Sequence, residues 1–164
     1  MPPVDLLAKE VVDQHFKEWS SAIREVKTNA RGESIDPGLN VPGFDAEIVP
    51  LSSKAARINV HAPADAWDVS IAFGECSHTE IPYVNDPDGA RTFQRQLSEL
   101  ITAVMSSRWE EHLVLFRNRI VCCSAIFPRP AAQYRSTMGI PGIISRYFPL
   151  PGQSKKTIHW EPYK

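Results

Sequence analysis

The sequence lacks a long apolar run, since none approaches the ~20 consecutive apolar residues that a membrane-spanning helix needs. It contains only three cysteines in 164 residues, and two of them are adjacent, which does not suit a disulfide scaffold. The first residues carry neither a basic segment nor an apolar core, so they do not form a secretory signal. These absences argue against a membrane role and predict a cytoplasmic protein with reduced thiols.

Motifs that bind phosphate or activate a nucleophile are also missing. The eight glycines are scattered and form neither of the common nucleotide-binding loops. No G-x-S-x-G elbow is present. The net charge of −1 gives no general attraction to nucleic acid, and no RNA-binding signature occurs. The sequence therefore predicts no cofactor, and nucleic acid is not the expected partner.

What is present is the composition of a globular protein, with 43% hydrophobic and 23% charged residues. The length fits one domain over residues 1–164. Charge is distributed unevenly along the chain. Residues 1–50 carry nine acidic and five basic side chains, whereas residues 109–164 carry three acidic and eight basic ones. This asymmetry could orient a partner protein even though the total charge nearly cancels.

The hydrophobic spacing predicts two main helices, over about residues 5–28 and 87–107. Asp5 is suited to cap the first helix. Asp86 followed by Pro87 is a stronger start signal, because it combines an N-cap with proline in the first helical position. The predicted buried side of the first helix comprises Leu7, Val11, Val12, Phe16, Trp19, Ile23 and Val26.

Period-two alternation predicts the strands. They cover residues 46–51, 57–61, 68–73, 78–84, 111–117, 119–127 and 156–160. Pro50 cannot donate to a strand ladder, which predicts an edge position for the first strand. The Pro-rich segment at about 128–154 is expected to be irregular. The prediction is thus an α+β domain, with an antiparallel sheet of about five to seven strands and both helices on one face.

Cys76, His78 and Glu80 share one face of a regular strand and could offer sulfur, nitrogen and oxygen to zinc. The His78-x-Glu80 spacing is also that of zinc deaminases, which need a downstream P-C-x-x-C as well. Cys122 and Cys123 are adjacent and cannot supply that motif. Since a fourth ligand is missing, we expect no metal, and no stoichiometric zinc in the purified protein.

Two other functional classes remain open from the residues. His112 follows two glutamates and could take part in acid–base chemistry, although successive side chains on a strand point to opposite faces. A small hydrolase or metal-dependent enzyme would use His112 or the Cys76, His78 and Glu80 face. A small-ligand carrier would instead enclose an apolar pocket between sheet and helices.

Two surfaces are suited to a protein partner. The long loop over residues 32–45 is acidic and unlike a core segment, and the C-terminal region combines cations with aromatic side chains. A basic partner, such as an enzyme that acts on nucleic acid, would favour the acidic surface. The candidate partner-binding residues are Asp36, Asp45, Glu47, Arg146, Tyr147 and Trp160.

The segments Val69–Gly74 and Thr79–Tyr83, with the helix from Asp86 and the strands after it, resemble small bacterial immunity proteins of polymorphic toxin systems. The resemblance covers about residues 66–127 and is one of architecture, so it assigns no functional residues. It implies a cytoplasmic inhibitor that occludes the active site of a cognate toxin, not an enzyme. Many such proteins are strongly acidic, whereas this chain is nearly neutral.

Overall fold

The computed structural model describes residues 2–29, 34–36, 41–128, 133–137, 142–144, 148 and 150–164. This part of the chain forms an α+β fold, as predicted. Its helices and strands are α1 (Val4–Glu18), β1 (Ile23–Thr28), β2 (Ser34–Asp36), β3 (Val41–Pro50), β4 (Ile58–Pro63), β5 (Asp68–Phe73), β6 (Ser77–Pro82), α2 (Pro87–Ser106), β7 (Trp109–Phe116), β8 (Arg119–Ile126), β9 (Gln133–Thr137) and β10 (Gln153–Trp160).

The strands divide into two antiparallel sheets, where the sequence predicts one. The first sheet has the order β1-β3-β4-β5-β6, with β2 paired to β3. The second has the order β10-β7-β8-β9. Strand β6 of the first sheet contacts β8 and β9 of the second, and α2 lies between the two sheets along the chain. The two sheets therefore meet along β6.

Helix α2 follows the sequence prediction closely. The Asp86 carboxylate accepts a hydrogen bond from the Gly89 N–H at 2.6 Å, and Pro87 occupies the first helical position. Its buried side comprises Ala90, Phe93, Leu97, Leu100, Ile101, Val104 and Met105. No helix among the described residues is both long and apolar enough to cross a membrane.

The first helix is shorter than the prediction of residues 5–28. It ends at Glu18, and the last part of that range forms β1 instead. Ile23 and Val26 fit helical spacing, but both are β-branched and favour a strand. Val26 pairs with Ile48 of β3, so cross-strand hydrogen bonds replace a further turn of helix.

The start and the buried face of α1 also differ from the prediction. Pro3 occupies the N-cap position, so Asp5 lies inside the first turn and is not the cap. Phe16 was expected in the core and is 43% exposed. His15, which the spacing does not single out, is buried at 3% exposure. The helix therefore turns a polar residue inward and an aromatic one outward.

Two strand predictions also need correction. The strand expected at the sheet edge over residues 46–51 is β3, which lies between β1 and β4. Pro50 is tolerated there because it occupies the last position of the strand. The segment at 128–154, expected to be irregular, contains β9 and the first residues of β10.

One hydrophobic core joins the helices to both sheets. Aromatic rings form its centre where the sheets meet. Phe73 of β5 packs edge-on against Trp109 of β7 at 5.6 Å between ring centroids, and Trp109 stacks on Phe127 at 4.9 Å. At the C-terminal end the Tyr163 hydroxyl donates to the Ala56 carbonyl at 2.6 Å. These contacts hold the two sheets in one packed unit.

Leu97 is fully buried in α2, so its truncation tests the predicted face of this helix. We expect Leu97→Ala to lower the free energy of unfolding by ~2–5 kcal/mol, through lost burial and a residual cavity. Leu51→Ala is the matched control because Leu51 is 54% exposed. Urea unfolding of both variants is the measurement. Equal midpoints would show that Leu97 is not a core residue.

His15 links the two helices, since its Nε2 lies 3.0 Å from the Ser98 hydroxyl. Burial lowers the pKa of His15 below its ordinary value, and the charge of Glu18 partly opposes this effect. The unfolded chain therefore binds the proton more readily than the folded one. We expect stability to fall as the pH drops below about 6.5, the unfolded pKa of histidine.

His15→Gln should reduce this acid destabilisation, because glutamine keeps a polar side chain that does not titrate. Urea midpoints at neutral and mildly acidic pH measure the effect. The same pH dependence in both proteins would contradict the assignment to His15.

Candidate functional site

Two of the predicted partner-binding residues, Asp45 and Glu47, lie on the outer face of β3. The carboxylate of Asp45 is 2.8 Å from His61 Nδ1. Glu47 accepts hydrogen bonds from Lys27 at 3.1 Å and from Arg57 at 3.2 Å. The Lys27 hydrogen bond lowers the pKa of Glu47, while desolvation opposes the shift. The negative charges on this face are therefore already paired with cationic or titratable neighbours.

Trp160, also predicted to bind a partner, is half-buried. Its indole N–H donates to Glu111 at 3.0 Å, and its ring stacks on Trp109 at 5.8 Å between centroids. Through these contacts the Trp160 side chain packs against residues of the second sheet. The side chains of Asp36, Arg146 and Tyr147 lie outside the described part of the chain.

The structure does not bring the predicted Cys76, His78 and Glu80 ligands together as one group. His78 and Glu80 are exposed on β6, and Cys76 lies in the turn before that strand. Cys76 instead joins Cys123 of β8 and Glu111 of β7. One ligand atom from each of these three residues lies within 4.8 Å of the other two.

Glu111 is a fully buried carboxylate held by five hydrogen bonds. Its Oε1 accepts the backbone N–H groups of Cys76 at 3.0 Å and Ser77 at 2.9 Å, and the Ser77 hydroxyl at 2.7 Å. Its Oε2 accepts the Glu75 N–H at 2.8 Å and the Trp160 indole N–H at 3.0 Å. We call these donor residues, Glu75, Cys76, Ser77 and Trp160, the Glu111 cradle.

Gly74 makes the cradle possible. Its φ of +70° is in the left-handed region, and the turn it begins directs successive N–H groups at the carboxylate. A Cβ at this position would lie 2.7 Å from Oε2 of Glu111 and 2.9 Å from the Trp109 ring. Both the backbone conformation and the space therefore require glycine.

None of the three cysteines, all of which lie in the described part of the chain, forms a disulfide bond. The Cys123 thiol donates to the Cys76 carbonyl at 3.1 Å. A hydrogen bond to the Cys123 thiol, followed by burial and the nearby Glu111 charge, raises the pKa of the Cys76 thiol above its ordinary value. Cys76 is thus protonated at neutral pH, which makes it a poor nucleophile for covalent catalysis.

His112 and Glu110 lie on the exposed face of β7, opposite to Glu111, as strand alternation predicts. His112 Nε2 is 2.9 Å and His159 Nδ1 is 3.3 Å from the Glu110 carboxylate. The hydrogen bond to His112 lowers the pKa of Glu110, and desolvation opposes it. The glutamates on either side of the strand therefore belong to two separate environments.

A second feature of the surface is Trp67, in the turn between β4 and β5. Its side chain is 81% exposed, and Val84, the residue after its backbone partner Tyr83, is 56% exposed. The backbone below the ring is fixed, because the Trp67 carbonyl accepts the Tyr83 N–H at 2.7 Å. A cavity of about 230 Å³ lies between Trp67, Pro3 and Tyr83. This is an aromatic side chain presented on an ordered turn.

Acidic residues lie in the two chain segments that the Tyr83–Trp67 hydrogen bond joins. Asp65 and Asp68 flank Trp67, and Asp86 follows Val84 by two residues; all three are exposed. The segments 64–68 and 82–88 contain no lysine or arginine. We call Trp67, Val84, Asp65, Asp68 and Asp86 the Trp67 patch.

Sequence reasoning did not single out either feature, although signals exist for both. Alternation from Trp109 to Leu113 places Glu111 on the apolar face, which indicates a buried carboxylate. Trp67 stands between two aspartates in a short turn between strands, where an aromatic residue has little core to join. The proximity of Cys76 to Cys123 has no comparable signal.

Comparison with known proteins finds no protein family, no curated protein and no solved structure that matches this chain. The interpretation of its site therefore depends on the geometry and chemistry of its own residues.

The Glu111 cradle predicts that substitution of Glu111 destabilises the fold much more than substitution of its neighbour Glu110. In Glu111→Gln an amide NH₂ would replace one oxygen and would face N–H donors that need an acceptor. We expect a loss of at least about 2 kcal/mol in the free energy of unfolding. Glu110→Gln, on the exposed face of the same strand, should change it little. Similar losses for both variants in urea unfolding would contradict the structural role of Glu111.

Proposed function

We propose that this protein is a binding protein that inhibits a basic partner protein, as an immunity protein does when it covers the active site of a cognate toxin. The observation that carries the proposal is the exposure of Trp67, at 81%, on an ordered turn. Tryptophan is enriched among the residues that contribute most to protein binding. A large apolar ring left in water gains free energy when a partner covers it.

Charge around the ring supports a basic partner. Asp65, Asp68 and Asp86 give the patch a negative potential, and the segments that form it carry no compensating lysine or arginine. The active site of a toxin that acts on nucleic acid would be basic, because it must bind phosphates. Complementary charge speeds association and selects against acidic partners.

The backbone of the patch is ordered before binding. The hydrogen bond from Tyr83 to Trp67 ties the β4–β5 turn to the end of β6, and the Tyr83 hydroxyl donates to the Pro2 carbonyl at 3.0 Å. A preorganised anchor loses less conformational entropy on association than a flexible one. This favours tight binding through a small number of side chains.

The acidic residues predicted from the sequence are less suited to this role. Glu47 pairs with the cations Lys27 and Arg57, which offset its charge at the surface, and Asp45 is in hydrogen-bond contact with His61. The Trp67 patch combines an aromatic anchor with Asp65 and Asp68, which form no ion pair within the described part of the chain, and the β3 face does not offer this combination. We therefore assign partner binding to the Trp67 patch.

Site-specific photocrosslinking can identify the partner. A photoreactive amino acid in place of Trp67 should capture the partner in the native host, whereas the same group in place of Leu51, at the far end of the first sheet, should not. The captured protein is then purified and assayed for its own activity with and without this chain. A basic protein whose activity is inhibited by stoichiometric binding is the expected result.

With the purified pair, Trp67→Ala should weaken affinity by at least about thirtyfold, the effect of removing a strong anchor residue. Leu51→Ala is the control and should leave affinity unchanged. Asp65→Asn with Asp68→Asn should slow association and flatten its salt dependence, with little effect on dissociation. Isothermal titration and stopped-flow fluorescence measure the two effects.

The same experiments distinguish binding through the Trp67 patch from two alternatives, which are binding through β3 and catalysis. Loss of affinity in Asp45→Asn with Glu47→Gln, but not in Trp67→Ala, would move the binding surface to β3. Turnover of a small substrate that is abolished by His112→Ala, with no captured partner, would replace inhibition by catalysis.

A further inference from the structure

Cys76, Cys123 and Glu111 converge from three different parts of the fold. Cys76 lies in the β5–β6 turn of the first sheet, whereas Cys123 and Glu111 lie on adjacent strands of the second sheet. Their ligand atoms fall within 4.8 Å of one another, and Cys123 and Glu111 are buried. Two sulfurs and a carboxylate oxygen are ligands that zinc accepts in proteins.

We propose that Cys76, Cys123 and Glu111 form a binding site for a divalent zinc-type cation. Two thiolates and one carboxylate oxygen are the protein ligands, and water is the fourth. This inference does not depend on the proposed inhibitory function, because it uses none of the residues of the Trp67 patch.

The spacing suits a bridging cation better than a disulfide. Tetrahedral coordination with Zn–S near 2.3 Å and Zn–O near 2.1 Å places ligand atoms ~3.5 Å apart. The observed ligand atoms all lie within 4.8 Å of one another, so they need to approach by at most about 1.3 Å to reach this geometry. A disulfide would bring the two sulfurs to about 2 Å, which is a larger change in their separation.

The charge balance also favours a divalent cation. Two thiolates and one carboxylate carry three negative charges when they ligate a cation, because metal ligands bind in their deprotonated forms. A divalent cation offsets two of these charges and a monovalent cation only one, and uncompensated charge in the interior is costly.

Access to the site comes from the side of Cys76, which is only partly buried. Glu111 already accepts five hydrogen bonds, so it must release one when it ligates the cation. The bond from Trp160 is the one donated from outside residues 75–77, by a half-buried side chain. Zinc binding is therefore expected to shift the Trp160 indole N–H resonance.

The sequence predicts no metal because Cys76, His78 and Glu80 share one strand face that lacks a fourth ligand. The fold instead supplies Cys123 and Glu111 from other strands. The two ligand sets share only Cys76, so variants can distinguish them.

The test uses the full chain, reduced and stripped with a chelator, and then titrated with zinc in competition with a chromophoric chelator. We expect one zinc per chain and release of two protons per zinc in weakly buffered solution. Cys76→Ser and Cys123→Ser should abolish binding. Cys122→Ser is the matched control, because Cys122 is buried on the other face of β8, and it should retain binding.

Two further measurements keep the test decisive if a cysteine variant fails to fold. In the unmodified protein, cobalt in place of zinc should give the charge-transfer absorption of thiolate ligands, and zinc should shift the Trp160 indole resonance. His78→Ala should retain zinc. Loss of zinc in His78→Ala, retention in both cysteine variants, or no zinc bound by the unmodified chain would each overturn the proposal.

Discussion

A carboxylate buried between two sheets needs enough hydrogen-bond donors to replace water, and the contact between the sheets depends on this requirement at Glu111. A buried charge without such partners would destabilise the fold by several kcal/mol. Here the donors are three backbone N–H groups, one hydroxyl and one indole, all neutral. Four of the five come from the β5–β6 turn and the first residue of β6 in the first sheet, while Glu111 itself belongs to the second. The carboxylate thus fixes the register of one sheet against the other, and the aromatic packing of Phe73 on Trp109 lies directly beside it.

The features that sequence could predict are those encoded over short distances. Helix α2 is specified by its cap and by one continuous apolar stripe, and β5 by strict alternation. The end of α1 could not be predicted from local sequence, because Ile23 and Val26 satisfy both helical spacing and strand propensity. Their state is decided by pairing with β3, whose residues lie more than a dozen positions away. The division into two sheets has the same origin, since hydrophobic alternation says which face is buried but not which strand is the neighbour.

The candidate sites were predictable to a smaller extent. Cys76 was recognised as a possible ligand, and the opposite orientation of Glu110 and Glu111 was expected from the period of a strand. The contact of Cys76 with Cys123 joins positions from separate sheets, and no local pattern encodes it. Exposure of Trp67 depends on how the β4–β5 turn projects from the core, which only the packed structure defines. The two sites lie at opposite ends of β5, a strand of six residues that spans ~20 Å, so chemistry at one end can vary without altering the other.

The close approach of Gly74 to Glu111 also bears on how this sequence can diverge. A side chain at position 74 is blocked by the carboxylate and by the Trp109 ring, and a shorter residue at position 111 would leave the donors of the turn without an acceptor. A substitution at either position is therefore not tolerated without a change at the other. Related sequences that have lost the glutamate should also have lost the glycine and rebuilt the turn, so that these two positions, far apart in the chain, are inherited as a pair.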